Sequence, residues 1–307
     1  MSDIASISLA HPLDAISDEL GRSFAEYGFA IVRDHGIPQD LIDRAETLAR
    51  AFFALPEATK LDYRIEGGGG ARGYTPFGTE IAKDAEVHDL KEFWHVGRTL
   101  PDGHRFADTM APNVWPGEVH GFQETFEALY AEFEQAGERI LRAIARHLDI
   151  EEDWFVDTVE DGNSVMRLLH YPPLADDVPE GAIRAAAHGD INTITLLLGA
   201  EEAGLELLSK QGDWVPVSPP PGALAVNVGD MLERLTNGRL RSTTHRVVNP
   251  GSEAARRSRY SMPFFLHFRP DFVIEPLAGC VAPGEDTQPP ITAHDFLQQR
   301  LREIGLA

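Results

Sequence analysis

The sequence predicts an α+β chain with a helical first half, an all-β sandwich or barrel in the second half, and a closing helix. Three observations carry this expectation. Apolar residues recur at spacings of three and four along two segments of the first half. Seven short β-rich runs fill about 105 residues of the second half, separated by Gly, Pro and Asn clusters. A last amphipathic stretch, Ile291–Leu306, closes the chain.

In chain order, Gly28–Val32 is a short apolar run ended by Asp34-His35-Gly36-Ile37-Pro38, which reads as a strand and a turn. Leu41–Leu55 places Leu41, Ala45, Leu48, Phe52 and Leu55 on one helical face. Phe122–Leu148 repeats that pattern over a longer helix, with Phe126, Leu129, Phe133, Ile140, Ile144 and Leu148 in its stripe. The predicted strands are Ser164–Tyr171, Ile191–Leu198, Leu205–Ser209, Trp214–Ser218, Ala223–Val228, Ser242–Val248 and Arg259–Phe268. Between them Asp230-Met231-Leu232-Glu233 reads as a helix start with a capping box, and Asn237-Gly238 as its left-handed stop.

Composition excludes several classes of function. Among 307 residues, 43% are hydrophobic and 25% charged, which describes a globular chain. The net charge of −22, with no basic stripe, argues against nucleic acid and against anionic membranes as partners. A single cysteine, Cys280, rules out a disulfide framework and a Cys-rich metal site. The first residues lack a secretory pattern, and no apolar run is long enough to cross a membrane, so a cytoplasmic protein is expected. No obligate protein partner is expected.

Four segments invite chemistry. Gly67-Gly68-Gly69-Gly70 lacks the Lys-Ser or Lys-Thr of a phosphate loop and reads as a surface loop. His88 and His95, seven apart, would share a helical face, with no obvious third ligand for a metal. His188-Gly189-Asp190 opens a predicted strand, where residues i and i+2 point the same way. Such a triplet arises about once by chance in a chain of this size and composition, so its context matters. A second histidine, His245, lies on another β run, and strands distant in sequence become neighbours in a sandwich. Two imidazoles and a carboxylate, with three positions open, form the ligand set of non-haem Fe(II) oxygenases. Fourth, Arg259 and Ser261 are two apart on the following strand, a guanidinium and a hydroxyl suited to a carboxylate or simply to a solvated face. Tyr171 offers another hydroxyl, or core packing.

With these residues in place the chain resembles the Fe(II)/2-oxoglutarate-dependent dioxygenase superfamily, in its isopenicillin N synthase-like branch. The likeness runs through Gly28-Phe29-Ala30-Ile31-Val32, His35-Gly36-Ile37, Phe52-Phe53-Ala54-Leu55-Pro56 and Lys60. It continues in Gly73-Tyr74, Gly78, Glu80, Asp89-Leu90-Lys91-Glu92 and Asn113-Val114-Trp115-Pro116. In the second half it covers Arg167–Pro173, His188-Gly189-Asp190, Gly229–Leu232, Thr236-Asn237-Gly238, His245-Arg246-Val247 and Arg259-Tyr260-Ser261.

The resemblance implies a double-stranded β-helix, or jelly roll, flanked by N-terminal helices and a C-terminal helix. It implies an N-terminal dioxygenase region at 1–120, a long helix and linker at 121–161, the jelly-roll core at 162–270 and a C-terminal extension at 271–307. His188, Asp190 and His245 would bind Fe(II). Arg259 and Ser261 would bind the far carboxylate of 2-oxoglutarate, with Tyr171 beside it, and O2 would be the oxidant. The implied reaction couples decarboxylation of 2-oxoglutarate to hydroxylation, desaturation or cyclisation of a small organic substrate. Many 2-oxoglutarate users of this branch carry Asn two residues before the tyrosine, whereas this chain has Leu169. That departure keeps open an isopenicillin N synthase-like oxidase that needs no 2-oxoglutarate. A non-catalytic metal-binding jelly roll is the alternative of another class. The substrate pocket is expected to draw on the helical half, with Trp94, His95, Phe265 and His267 as candidates for its lining or for core packing.

Overall fold

In the computed structural model the described residues are 4–66, 70–79, 88–174, 181–200, 204–251 and 253–303. Gly67–Gly69, Glu80 and Leu306, named above, lie outside them. The helices are α1 (Leu13–Tyr27), α2 (Gln39–Phe53), α3 (Glu57–Leu61), α4 (Phe122–His147), α5 (Val156–Val159), α6 (Asp230–Leu235) and α7 (Ala293–Glu303). The periodicity of the first half thus locates α2 and α4 to within two residues.

The strands form two facing sheets and a ribbon. The large sheet contains β1 (Ser6–Ser8), β2 (Phe29–Arg33), β3 (Gly73–Thr75), β4 (Glu92–Gly97), β5 (Val165–Tyr171), β7 (Ile194–Leu198), β10 (Leu224–Val228) and β12 (Arg259–Leu266). Its spatial order is β1-β2-β10-β7-β12-β5-β4-β3. The small sheet contains β6 (Ala185–His188), β8 (Leu205–Leu208), β9 (Trp214–Pro216) and β11 (His245–Val247), in the order β6-β11-β8-β9. Strands β13 (Val273–Ile274) and β14 (Ile291–Thr292) pair under α7. Apart from the parallel β1–β2 contact, the pairings within the sheets are antiparallel. This is the jelly roll, with helices on one side.

Alternation along the strands divides the large sheet into two chemistries. One face carries Leu196, Met166, Leu168, Phe264 and Leu266, all buried, and packs on α4. Phe133 of α4 stacks on Phe264 at 5.1 Å between ring centroids. Gly137 lets α4 approach closely, since a Cβ there would lie 2.3 Å from Leu266 Cδ1. The other face mixes apolar residues with polar ones, among them Thr195, Asn227, Arg259 and Ser261, and looks toward the small sheet. A second apolar cluster, including Phe29, Leu205, Leu207, Ala225 and Val247, closes the inter-sheet space.

Three local expectations are corrected. His88 and His95 do not share a helical face, because Glu92–Gly97 is strand β4, paired to β5 with His95 opposite Arg167. Its buried pattern on both faces erased the alternation that would mark a strand. The capping box before α6 does not form, since Gly229 is the N-cap and no side chain caps it. Both acids face Ser242 instead, whose Oγ donates to Asp230 (2.6 Å) and whose N–H donates to Glu233 (2.9 Å). The run Ile191–Leu198 becomes strand only from Ile194, and Asp190 lies in a loop. The helix stop is as expected, with Asn237 and Gly238 both at positive φ.

Candidate active site

His188 is the last residue of β6 and His245 the first of β11, and they are direct partners across that antiparallel pair. Register therefore sets the two imidazoles side by side, 4.5 Å between ring centroids. Each ring is oriented by a backbone carbonyl two residues earlier. Nδ1 of His188 lies 2.7 Å from Ala186 O, and Nδ1 of His245 lies 3.1 Å from Thr243 O. A carbonyl can only accept, so Nδ1 carries the proton and Nε2 keeps its lone pair. Both Nε2 atoms approach Asp190 Oδ1, at 4.0 and 3.9 Å.

Asp190 reaches this point by a route other than strand alternation. The chain leaves the small sheet after His188 and crosses toward the large one. The carboxylate is fixed there by Thr195 Oγ1 (2.6 Å) and Asn227 Nδ2 (2.8 Å), which both donate to Oδ2 and leave Oδ1 for the imidazoles. The loop is clamped through its backbone, as Asp230 N–H donates to Asp190 O (2.8 Å) and Gly229 N–H to Thr193 O (2.9 Å). A Cβ at Gly229 would lie 2.1 Å from Asn192 O, so only glycine fits that approach.

The electrostatics suit a cation. Desolvation, and next the neighbouring His245, hold His188 down at about 4, so it is a neutral donor at neutral pH. For Asp190 burial opposes the charge. His245 and His188, then the bonds from Asn227 and Thr195, outweigh it, and its carboxyl titrates below the usual range. One atom from each of the three residues lies within 4.8 Å of the others. Two imidazole nitrogens and one carboxylate oxygen fit a divalent first-row ion with open positions.

Arg259, Ser261 and Tyr171 meet on the inner face of the large sheet. Arg259 pairs with Tyr171 and Ser261 with Leu169 across β12 and β5. The Arg259 guanidinium lies 5.6 Å from the Tyr171 ring centroid, and Arg184, which sequence reasoning missed, lies 5.7 Å from the same ring. Arg259 is only 1% exposed, yet its Nε and Nη1 have no hydrogen-bond partner. A buried cation with idle donors is costly until an anion fills them. The site fits a ligand carboxylate. Leu169 packs with Phe93 and Tyr171 as a small apolar wall. Lys91, held by Asp89 at 2.7 Å, brings a positive charge that acts on His188.

Of the candidate pocket residues, Trp94 faces the helices, against Phe52 and Phe122, and is core. His95, Phe265 and His267 belong to the inner side. Arg167 Nε donates to His95 Nε2 (2.6 Å), and its guanidinium lies 4.1 Å from the Phe93 centroid and 5.5 Å from that of Phe265. Asn227 and Thr195 also escaped the sequence reading. Their signal was available, as polar residues in otherwise apolar strands.

Comparison with known proteins decides the family. Residues 162–268 match the 2OG-Fe(II) oxygenase superfamily, and residues 2–118 match the family described as non-haem dioxygenase in morphine synthesis, N-terminal. The chain belongs to the 2OG-Fe(II) oxygenase superfamily. A 2-oxoglutarate-Fe(II) type oxidoreductase of Emericella nidulans is 35% identical over 288 residues, covering 90% of this chain and 81% of its own. The crystal structure of a 2OG-Fe(II) oxygenase family protein from Caulobacter crescentus superposes with a TM-score of 0.91 at 54% identity, over 99% of this chain and 100% of that one. A Neurospora crassa protein in complex with alpha-KG and thymine superposes at 0.86 with 28% identity, over 97% and 96%. This oxygenase therefore uses Fe(II), 2-oxoglutarate and O2, and the 2-oxoglutarate reading prevails over the two alternatives.

Proposed function

We propose that His188, Asp190 and His245 hold the Fe(II) of this oxygenase, and that Arg259, with Ser261 and Tyr171, holds the far carboxylate of 2-oxoglutarate. The observation that carries this is the shared convergence of both Nε2 lone pairs and one carboxylate oxygen, with each Nδ1 turned to a carbonyl. Iron, when bound, supplies the redox chemistry that couples cosubstrate decarboxylation to attack on an unactivated C–H bond. The protein's own contribution is placement. Thr195 and Asn227 keep Asp190 in one rotamer, the β6–β11 register fixes the two rings, and Arg259 sets the depth of the cosubstrate.

The substrate we assign is a small organic molecule that becomes hydroxylated, desaturated or cyclised. Thymine in the Neurospora crassa neighbour supports that size class. The motif set supports the isopenicillin N synthase-like branch. A lone, half-buried thiol, Cys280, and a ferrous centre suit a reducing cytoplasm, which is the location we assign. No helix of the described residues is long and apolar enough to cross a membrane. The test is anaerobic titration of the Fe(II)-loaded protein with 2-oxoglutarate. A visible charge-transfer band and, on admitting O2, succinate release are expected. Absence of both in protein that retains iron would overturn the residue assignment.

A further inference from the structure

Among the described residues, Arg72 and Arg259 alone leave two buried guanidinium nitrogens without a hydrogen-bond partner. Arg259 is accounted for by the cosubstrate. Arg72 is not. It is 3% exposed, and its Nη1 donates to Ala71 O at 2.7 Å while Nε and Nη2 remain idle. Nε–H and the adjacent Nη2–H form the side-on edge of the guanidinium, two parallel donors that match the two oxygens of a carboxylate.

The fold makes room for this edge. A Cβ at Gly97 would lie 2.0 Å from Arg72 Cζ and Nη2 and 2.3 Å from Nε, so the guanidinium lies flat where residue 97 has no side chain. Gly97 is not at a positive φ, so its glycine is needed for space and not for backbone conformation. It continues the row Phe93, His95 and Gly97 on the inner face of β4, opposite Leu169, Arg167 and Val165 of β5. His267 follows Phe265 by two residues on the inner side at the end of β12, where its N–H donates to Ser164 Oγ at 3.1 Å. Arg259 lies elsewhere. It is six residues along β12 from Phe265, or about 20 Å of extended chain.

We propose that the primary substrate carries a carboxylate, gripped side-on by Nε–H and Nη2–H of Arg72 against Gly97, at the opposite end of the cleft from the 2-oxoglutarate carboxylate. The inference rests on the cleft being the oxygenase site. It names the substrate's charged group and leaves its reacting end to the Phe93 and Phe265 side.

Thermal unfolding of the Mn(II)- and 2-oxoglutarate-loaded protein tests it, with benzoate, phenylacetate and hexanoate and their amides as probes. At 10 mM at least one acid raises the wild-type Tm by about 3 °C and its amide does not. Arg72→Met loses the acid shift, keeps the 2-oxoglutarate shift, and melts no lower than wild type without acid, because an apolar chain replaces an uncompensated buried charge. Gly97→Ala, which displaces the guanidinium without removing it, loses the acid shift as well. The proposal is overturned if no acid shifts the wild type, if acid and amide act alike, or if either variant keeps the acid shift. It is equally overturned if Arg72→Met melts several degrees lower, which would make the guanidinium a strut of the fold. Loss of the 2-oxoglutarate shift in the wild type would instead refute the cosubstrate assignment.

Discussion

Replacing Arg259 by Met keeps the stem that packs on Tyr171 and removes the charge. Its cost can be worked in two ways. Hydrogen bonds to charged groups contribute about 1.5–3 kcal/mol each, and two idle donors await the ligand, which gives about 3–6 kcal/mol. Two unit charges 4 Å apart attract by about 4 kcal/mol at the effective dielectric of a protein site. The routes agree near 4 kcal/mol, or about a thousandfold in affinity at 1.4 kcal/mol per decade. Anaerobic titration of the Fe(II) protein, followed by the charge-transfer band, should show the 2-oxoglutarate Kd raised by about 100- to 1000-fold. The contact is made equally before and during reaction, so KM should absorb the loss and kcat at saturating cosubstrate should hold within a few-fold. Iron affinity should not change. A shift below tenfold, or a parallel loss of iron, would show that Arg259 does not hold the cosubstrate.

His188→Ala, Asp190→Ala and His245→Ala should each abolish stoichiometric iron binding and succinate release while leaving the fold intact by circular dichroism. Asn227→Ala and Thr195→Val should each weaken metal affinity by about 10–100-fold, read by competition with a chelator, because each frees Asp190 to rotate. Glu92→Gln should destabilise by about 3–5 kcal/mol in urea, since Lys60 (2.7 Å) would be left buried without its counter-charge. The gap should narrow in acid. Burial opposes the Glu92 charge, but bonds from His170, Lys60 and Tyr74 outweigh it and lower its carboxyl pKa. Such a group stabilises above its unfolded pKa, and that contribution is lost as pH falls through the folded value. A gap that is constant from pH 7 to pH 3 would refute this account of Glu92.

What the sequence made legible was whatever repeats locally. The stripe of α4 and the common face of Arg259 and Ser261 follow from period alone, though not which side that face looks to. His188 and His245 were legible as residues of β character, but their adjacency is a matter of register, which no local window contains. Asp190 meets the two histidines by a route that strand alternation does not describe, since it lies in a loop and two side-chain donors from β7 and β10 aim it. Strand β4 stayed hidden because both its faces are buried, one against helices and one against the cleft. Arg72 could not be read at all, as its significance lies in what fails to surround it.

The chain has 49 acidic against 27 basic side chains, so carboxylates are plentiful. Three other cations have found theirs. Lys60 has Glu92, Arg98 has Glu134, and Arg246 takes Glu206 with two nitrogens at 2.9 and 2.7 Å. Leaving two buried guanidinium groups with idle donors in so acidic a protein is therefore not a shortage of partners. It costs stability at both places, and each cost is recovered when a ligand anion arrives. Arg259 lies on β12 and Arg72 lies against Gly97 of β4, at two places on one inner face, with His188, Asp190 and His245 converging on the space that face encloses. Charged ends held apart in this way fix a cosubstrate and a substrate in one orientation each, and both molecules then turn their opposite ends toward the same ion.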